Sequence, residues 1–243
     1  MAGKYEAEKL LAKRANREDP IECLSKFLKN ISEFVRFKHD LLAEKPNPDV
    51  VKTLIRIYLI SVTSCLETFY RDLFRYLLED SGRLFFWGNI SERKKMDLLS
   101  AGLSEFDIQA EYPSLQSSES IFKTLDPFFP SVGYQNAISL EGLRCIIPSK
   151  KSDVALFKLP EDWGAQFDDI FQARHRYVHD ANSLTDTSVE EIQKFEALAV
   201  ILPQITTWKL DSVMRFAIKG EEGADFPVIL LADDLCADDW IVK

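Results

Sequence analysis

The chain has 243 residues, 46% hydrophobic and 28% charged, and a formal net charge of −9. That is an ordinary globular composition; it excludes wholesale disorder, and a chain this long needs no disulfide or structural metal to hold a core together. Residues 220–243 carry seven acids and one base, so the rest is nearly neutral and leaves room for a local basic groove. In chain order, the first 18 residues (MAGKYEAEKLLAKRANRE) are charged and contain no apolar h-region, so no signal peptide is expected. No apolar run approaches the roughly 20 residues that span a bilayer. Four scattered cysteines without metal-ligand spacing fit buried thiols in a reducing cytoplasm.

Asp19-Pro20-Ile21-Glu22 reads as a helix start: a capping Asp, a Pro at the first helical position and a Glu that completes a capping box. The apolar stripe Leu24, Phe27, Leu28, Ile31, Phe34, Val35, Leu41, Leu42 follows, and Pro46 should stop this helix near Glu44. Asn47-Pro48 repeats the device and opens a second helix over about residues 49–80. It is apolar on nearly every side from Ile55 to Leu77, as a central helix would be. Residues 81–160 contain recurrent Gly, Ser and Pro with only short periodic pieces, and read as an irregular insertion with short helices laid over a bundle. Regular helix returns at about residues 162–181, with Phe167, Ile170, Phe171 and Val178 on one face. After a short turn, Thr187-Ser188-Val189-Glu190 reads as a capping box opening a fourth helix to about Lys219, kinked at Pro203. Pro227–Leu231 and Trp240–Val242 are strand-like. The expected fold is all-α: an up-and-down four-helix bundle over residues 1–219, with the insertion at 81–160 and an acidic C-terminal extension at 220–243.

Two of the three histidines fall within one turn, in Ala173-Arg174-His175-Arg176-Tyr177-Val178-His179-Asp180. Helical spacing aims Arg174 towards the apolar stripe, where a charge needs a partner; Glu67, between Ser64 and Arg71 on the central helix, is a candidate. Arg174 followed by a polar His175 and, five positions on, by His179 resembles the motif of the HEPN superfamily, helical domains found in prokaryotic and eukaryotic nucleotide-binding proteins. Ser64-Cys65-Leu66-Glu67-Thr68-Phe69 is similar to the second helix of several of its families. The wording is closest to stand-alone prokaryotic HEPN families linked to RNA processing and phage defence, and the likeness covers roughly residues 20–80 and 160–219.

The resemblance implies a four-helix HEPN fold and a metal-independent endoribonuclease in stress or phage defence, with no cofactor. His179 would be the acid/base, because its pKa lies near neutrality. Arg174 would clamp the phosphoryl group through its two-pronged donor set. His175, Asp180, Tyr177 and Glu67 would assist or bind RNA, with Tyr177 stacking on a base. Residues five apart on a helix point about 140° apart, and HEPN nucleases resolve this by dimerising, so a homodimer on RNA is expected, with an antitoxin or regulatory protein as a further partner. Other readings stay open. Arg174–Glu67 is then a register-fixing ion pair within a non-catalytic nucleotide- or protein-binding module, or His175 and His179 serve as two metal ligands that lack a third. The His39-Asp40 and His179-Asp180 pairs also resemble those of HD-type phosphohydrolases, without that family's further ligands. Arg93-Lys94-Lys95 reads either as a phosphate contact or as a solvated helix start.

Overall fold

A computed structural model describes residues 19–130, 132–139, 143–146, 154–157, 159–179, 187–214, 228–230 and 241–242. Eight α-helices lie among them: α1 (Pro20–Ala43), α2 (Pro48–Ser81), α3 (Glu92–Ser100), α4 (Glu105–Ala110), α5 (Ser118–Leu125), α6 (Tyr134–Ile138), α7 (Trp163–His179) and α8 (Val189–Met214). The chain is predominantly helical, and no helix among the described residues is long and apolar enough to cross a membrane. The basic segment before Asp19 and most of the acidic tail lie outside the described residues.

Local chemistry sets the first two helices. The Asp19 side chain accepts from the N–H groups of Ile21 and Glu22, both at 2.8 Å, and Glu22 accepts from Asp19 N–H. Asn47 caps α2 by accepting from Val50 N–H at 3.0 Å. Gly82, in the left-handed region at φ 63, ends α2 where a side chain would be strained. Helix α8 starts one residue later than its sequence suggests. Ser188, not Thr187, is the cap: its hydroxyl accepts from Glu191 N–H, and Glu191 accepts from Ser188 N–H at 2.7 Å. Thr187 is taken instead by the Tyr177 hydroxyl, which donates to its Oγ1 at 3.0 Å. Pro203 stands inside α8.

Helix α2 is the hub. It packs on α1, α7 and α8, and α8 in turn touches α1 and α7. Leu59, Leu66, Tyr70, Leu73, Phe74 and Leu77 along it have no measurable exposure. Between α1 and α8 a buried Lys38–Glu196 ion pair replaces an apolar contact, and the Lys38 ammonium sits over the Tyr58 ring. The Tyr134 hydroxyl bridges Tyr70 on α2 and Thr206 on α8, at 3.4 and 2.7 Å.

Two differences from the sequence reading concern the insertion and the tail. The insertion is more than a covering layer: Leu115, Ile121, Leu125, Phe128, Phe129, Tyr134 and Ile138 belong to the main core. Only Ile90, Leu98, Leu103 and Ile108 form a satellite cluster. The helical body is also joined by a small four-stranded sheet, ordered β3-β1-β2-β4, made of β1 (Leu143–Ile146), β2 (Val154–Phe157), β3 (Val228–Leu230) and β4 (Ile241–Val242). β1 and β2 are antiparallel, with Leu143 opposite Phe157; β3 runs parallel to β1, and β4 antiparallel to β2. The strand-like runs of the tail are therefore strands, and they pair with the insertion. Strand pairing is non-local, and these short runs give no sequence signal of which partner they will meet.

Candidate functional site

Helix α7 is anchored by Trp163, Phe167, Ile170, Phe171 and Ala173, all buried. Near its end the expected stripe changes by one residue. Val178 is exposed, and Tyr177 is buried at 6%, because the ring fills the core while its hydroxyl reaches Thr187 at the head of α8. Burying a ring whose polar tip has a partner is favoured over burying a smaller Val. Tyr177 therefore has no free face on which a base could stack.

Arg174 turns towards α2, as its position predicts. Its Nη2 lies 3.8 Å from Glu67 Oε1, with side-chain exposures of 20% and 13%. This is a Coulombic contact and is wider than a hydrogen bond. Among the described residues, Arg174 Nε and Glu67 Oε1 are buried without hydrogen-bond partners. Burial pushes the Glu67 carboxyl up from its ordinary value; Arg174, Arg71 and a hydrogen bond from Gln116 pull it back without cancelling that effect.

The pair is one end of a longer charge ladder. Glu67, Arg71 and Arg75 recur every four residues on α2, so one stripe carries all three. Arg71 reaches Glu111 at 3.5 Å, and Arg75 reaches Glu111 at 3.4 Å and Asp107 at 3.8 Å. Asp107 is further held by Ser104, whose N–H and hydroxyl donate to Oδ2. Arg75 also lies 4.0 Å from Asp72, so with Arg174 the described ladder sets three cations against four carboxylates. The residues from α4 were not legible as site neighbours in the sequence, since nothing local marks the crossing of α4 over α2.

His175 and His179 lie on the opposite, exposed side of α7, with ring centres 4.3 Å apart and planes inclined by 49°. In one protomer the guanidinium and the His179 imidazole therefore diverge, as a five-residue spacing requires. Asp180 lies outside the described residues. Among the described residues no third His, Cys, Asp or Glu joins the imidazole pair. Of the basic triplet, Arg93 and Lys94 are exposed, whereas Lys95 is buried over the Trp87 ring and pairs with Glu92 at 2.5 Å.

A groove of about 540 Å³ opens between α1 and α2, lined by Lys26, Asn30, Ser61, Ser64, Thr68 and Arg71 among others. It borders the face of α2 next to Glu67 and is not lined by Arg174 or either imidazole. No protein-family model, curated protein or solved structure matches the chain.

Proposed function

We propose that this chain is a HEPN-type, metal-independent endoribonuclease that cleaves single-stranded RNA as a homodimer in the cytoplasm. The proposed setting is stress or phage defence, under the control of an antitoxin or regulatory protein. The observation that carries the reading is the division of α7 at its C-terminal turn. The Arg174 side chain, 20% exposed and with its buried Nε lacking a hydrogen-bond partner among the described residues, sits on one side, and two exposed imidazoles on the other. A two-fold axis beside α7 would bring Arg174 and His179 of both copies to one cleft within a four-helix HEPN arrangement.

In that cleft one His179 takes the proton of the ribose 2′-hydroxyl as its oxygen attacks phosphorus. The second His179 gives a proton to the departing 5′-oxygen, so the P–O2′ bond forms as the P–O5′ bond breaks. Arg174 offers parallel donors to the non-bridging oxygens, where charge accumulates. Glu67 holds the guanidinium in place without satisfying it, and His175 contacts the strand beside His179.

The second reading, a non-catalytic binding module, is favoured by one specific observation: Arg174 continues a ladder whose other members only hold α2 and α4 together. Purified protein in EDTA separates the two. Under the nuclease reading it degrades single-stranded RNA, His179→Ala reduces the rate by a factor of about 100 to 10,000, and light scattering gives a dimer. Intact RNA from a monomer supports the module.

A further inference from the structure

The geometry points to a second property of the imidazole pair: His175 and His179 form a chelating site for one borderline divalent transition-metal ion, of the Ni²⁺, Cu²⁺ or Zn²⁺ class, on the surface of α7. Both side chains are exposed, and a four-residue helical spacing puts them on one face. Their ring centres, 4.3 Å apart, match a cis pair of imidazoles. With metal–nitrogen bonds of about 2.1 Å and nitrogens about 1.1 Å from their ring centres, two ligands at about 90° have centres about 4.5 Å apart. The inclination of 49° is not that of a parallel stack. A tetrahedral ion would need the rings to swing apart by about 0.9 Å, which exposed side chains can do.

The described thiols compete poorly for such an ion. Burial, followed by nearby carboxylates, pushes Cys23 up to about 12, and burial raises Cys65, so both hold their protons. Two protein nitrogens with water in the remaining positions suit imidazole-seeking ions and not Mg²⁺ or Ca²⁺, which require oxygen donors.

A regulatory consequence rests on the proposed nuclease reading: an ion on His179 occupies the nitrogen lone pair that proton transfer needs, so capture of Zn²⁺ silences the enzyme. The test is calorimetric titration of the untagged full chain with Ni²⁺ and with Zn²⁺. The expected result is one ion per chain, with affinity falling roughly tenfold or more in His175→Ala, since one of two protein ligands is gone, and unchanged in His39→Ala. The same loss in His179→Ala, with far-UV circular dichroism unaltered in all three variants, supports the site. Absence of binding, or binding that neither His175→Ala nor His179→Ala weakens, overturns it. RNA cleavage is then followed with and without Zn²⁺. Cleavage that persists at saturating ion overturns the regulatory consequence and leaves the chelate standing. Absence of cleavage without any metal overturns the nuclease reading and, with it, that consequence, again without touching the chelate.

Discussion

Two faces of helix α2 are built on opposite principles. One buries Leu66, Tyr70, Leu73, Phe74 and Leu77 to zero exposure. The other, one residue out of phase, carries Glu67, Arg71 and Arg75 into contact with Arg174, Glu111 and Asp107. The apolar face stabilises without direction, since area removed from water counts whatever the register. The ionic face stabilises little in net, because desolvating its charges offsets most of their attraction. It does fix which turn of α2 faces which turn of α4 and α7, and so where Arg174 stands. The comparison teaches that the α7 site is positioned by charge and held by grease.

The sharpest way to break it is on the apolar side. Phe74 packs against Phe86 and Phe128 at 5.8 and 6.1 Å, so Phe74→Ala should lower the unfolding free energy by about 4 kcal/mol in urea titration. It should do so without changing the angle between α2 and α4. Next comes Arg75→Ala. It removes the cation beside Asp107, 1% exposed, and should cost about 3 kcal/mol. Arg75→Met, with similar volume, should cost as much, because the lost charge partner and not the lost packing sets the loss; full recovery in the Met variant would show the ladder to be mere filling.

The smallest effect lies where α5 meets α7. Asp168 accepts from the Ser118 hydroxyl at 2.7 Å and from Gln172 at 2.6 Å. Burial alone would raise its pKa, but these bonds outweigh it and hold the carboxyl below its ordinary 3.8. A lowered folded-state pKa means stability that is present above the ordinary value and lost as pH falls through the lowered one. Asp168→Asn should therefore cost about 1 kcal/mol at neutral pH. The difference in melting temperature between variant and parent should close as pH drops below 3.8.

Much of this arrangement was legible beforehand. The Asp19 and Asn47 caps, the stop before Pro46, the central character of α2 and the start of α7 all follow from residues within one or two turns of each other. The inward turn of Arg174 towards Glu67 was legible too, from spacing alone. What was not legible depended on distant partners. Thr187 looks as good a cap as Ser188 until the Tyr177 hydroxyl claims it. Val178 fits the stripe as well as Tyr177 until that same hydroxyl has somewhere to go. Lys95 reads as surface until Trp87 lies beneath it.

The sequence by itself determined where α1 and α2 begin and end and where α7 begins, because capping and periodicity are short-range and each N–H finds its partner a few residues away. Only the tertiary structure decided that the insertion joins the core and that the tail completes its sheet. The same holds for Asp107 and Glu111, which close a ladder started on α2. Those outcomes come from side chains and backbone groups far apart in the chain, which meet only after the helices have packed.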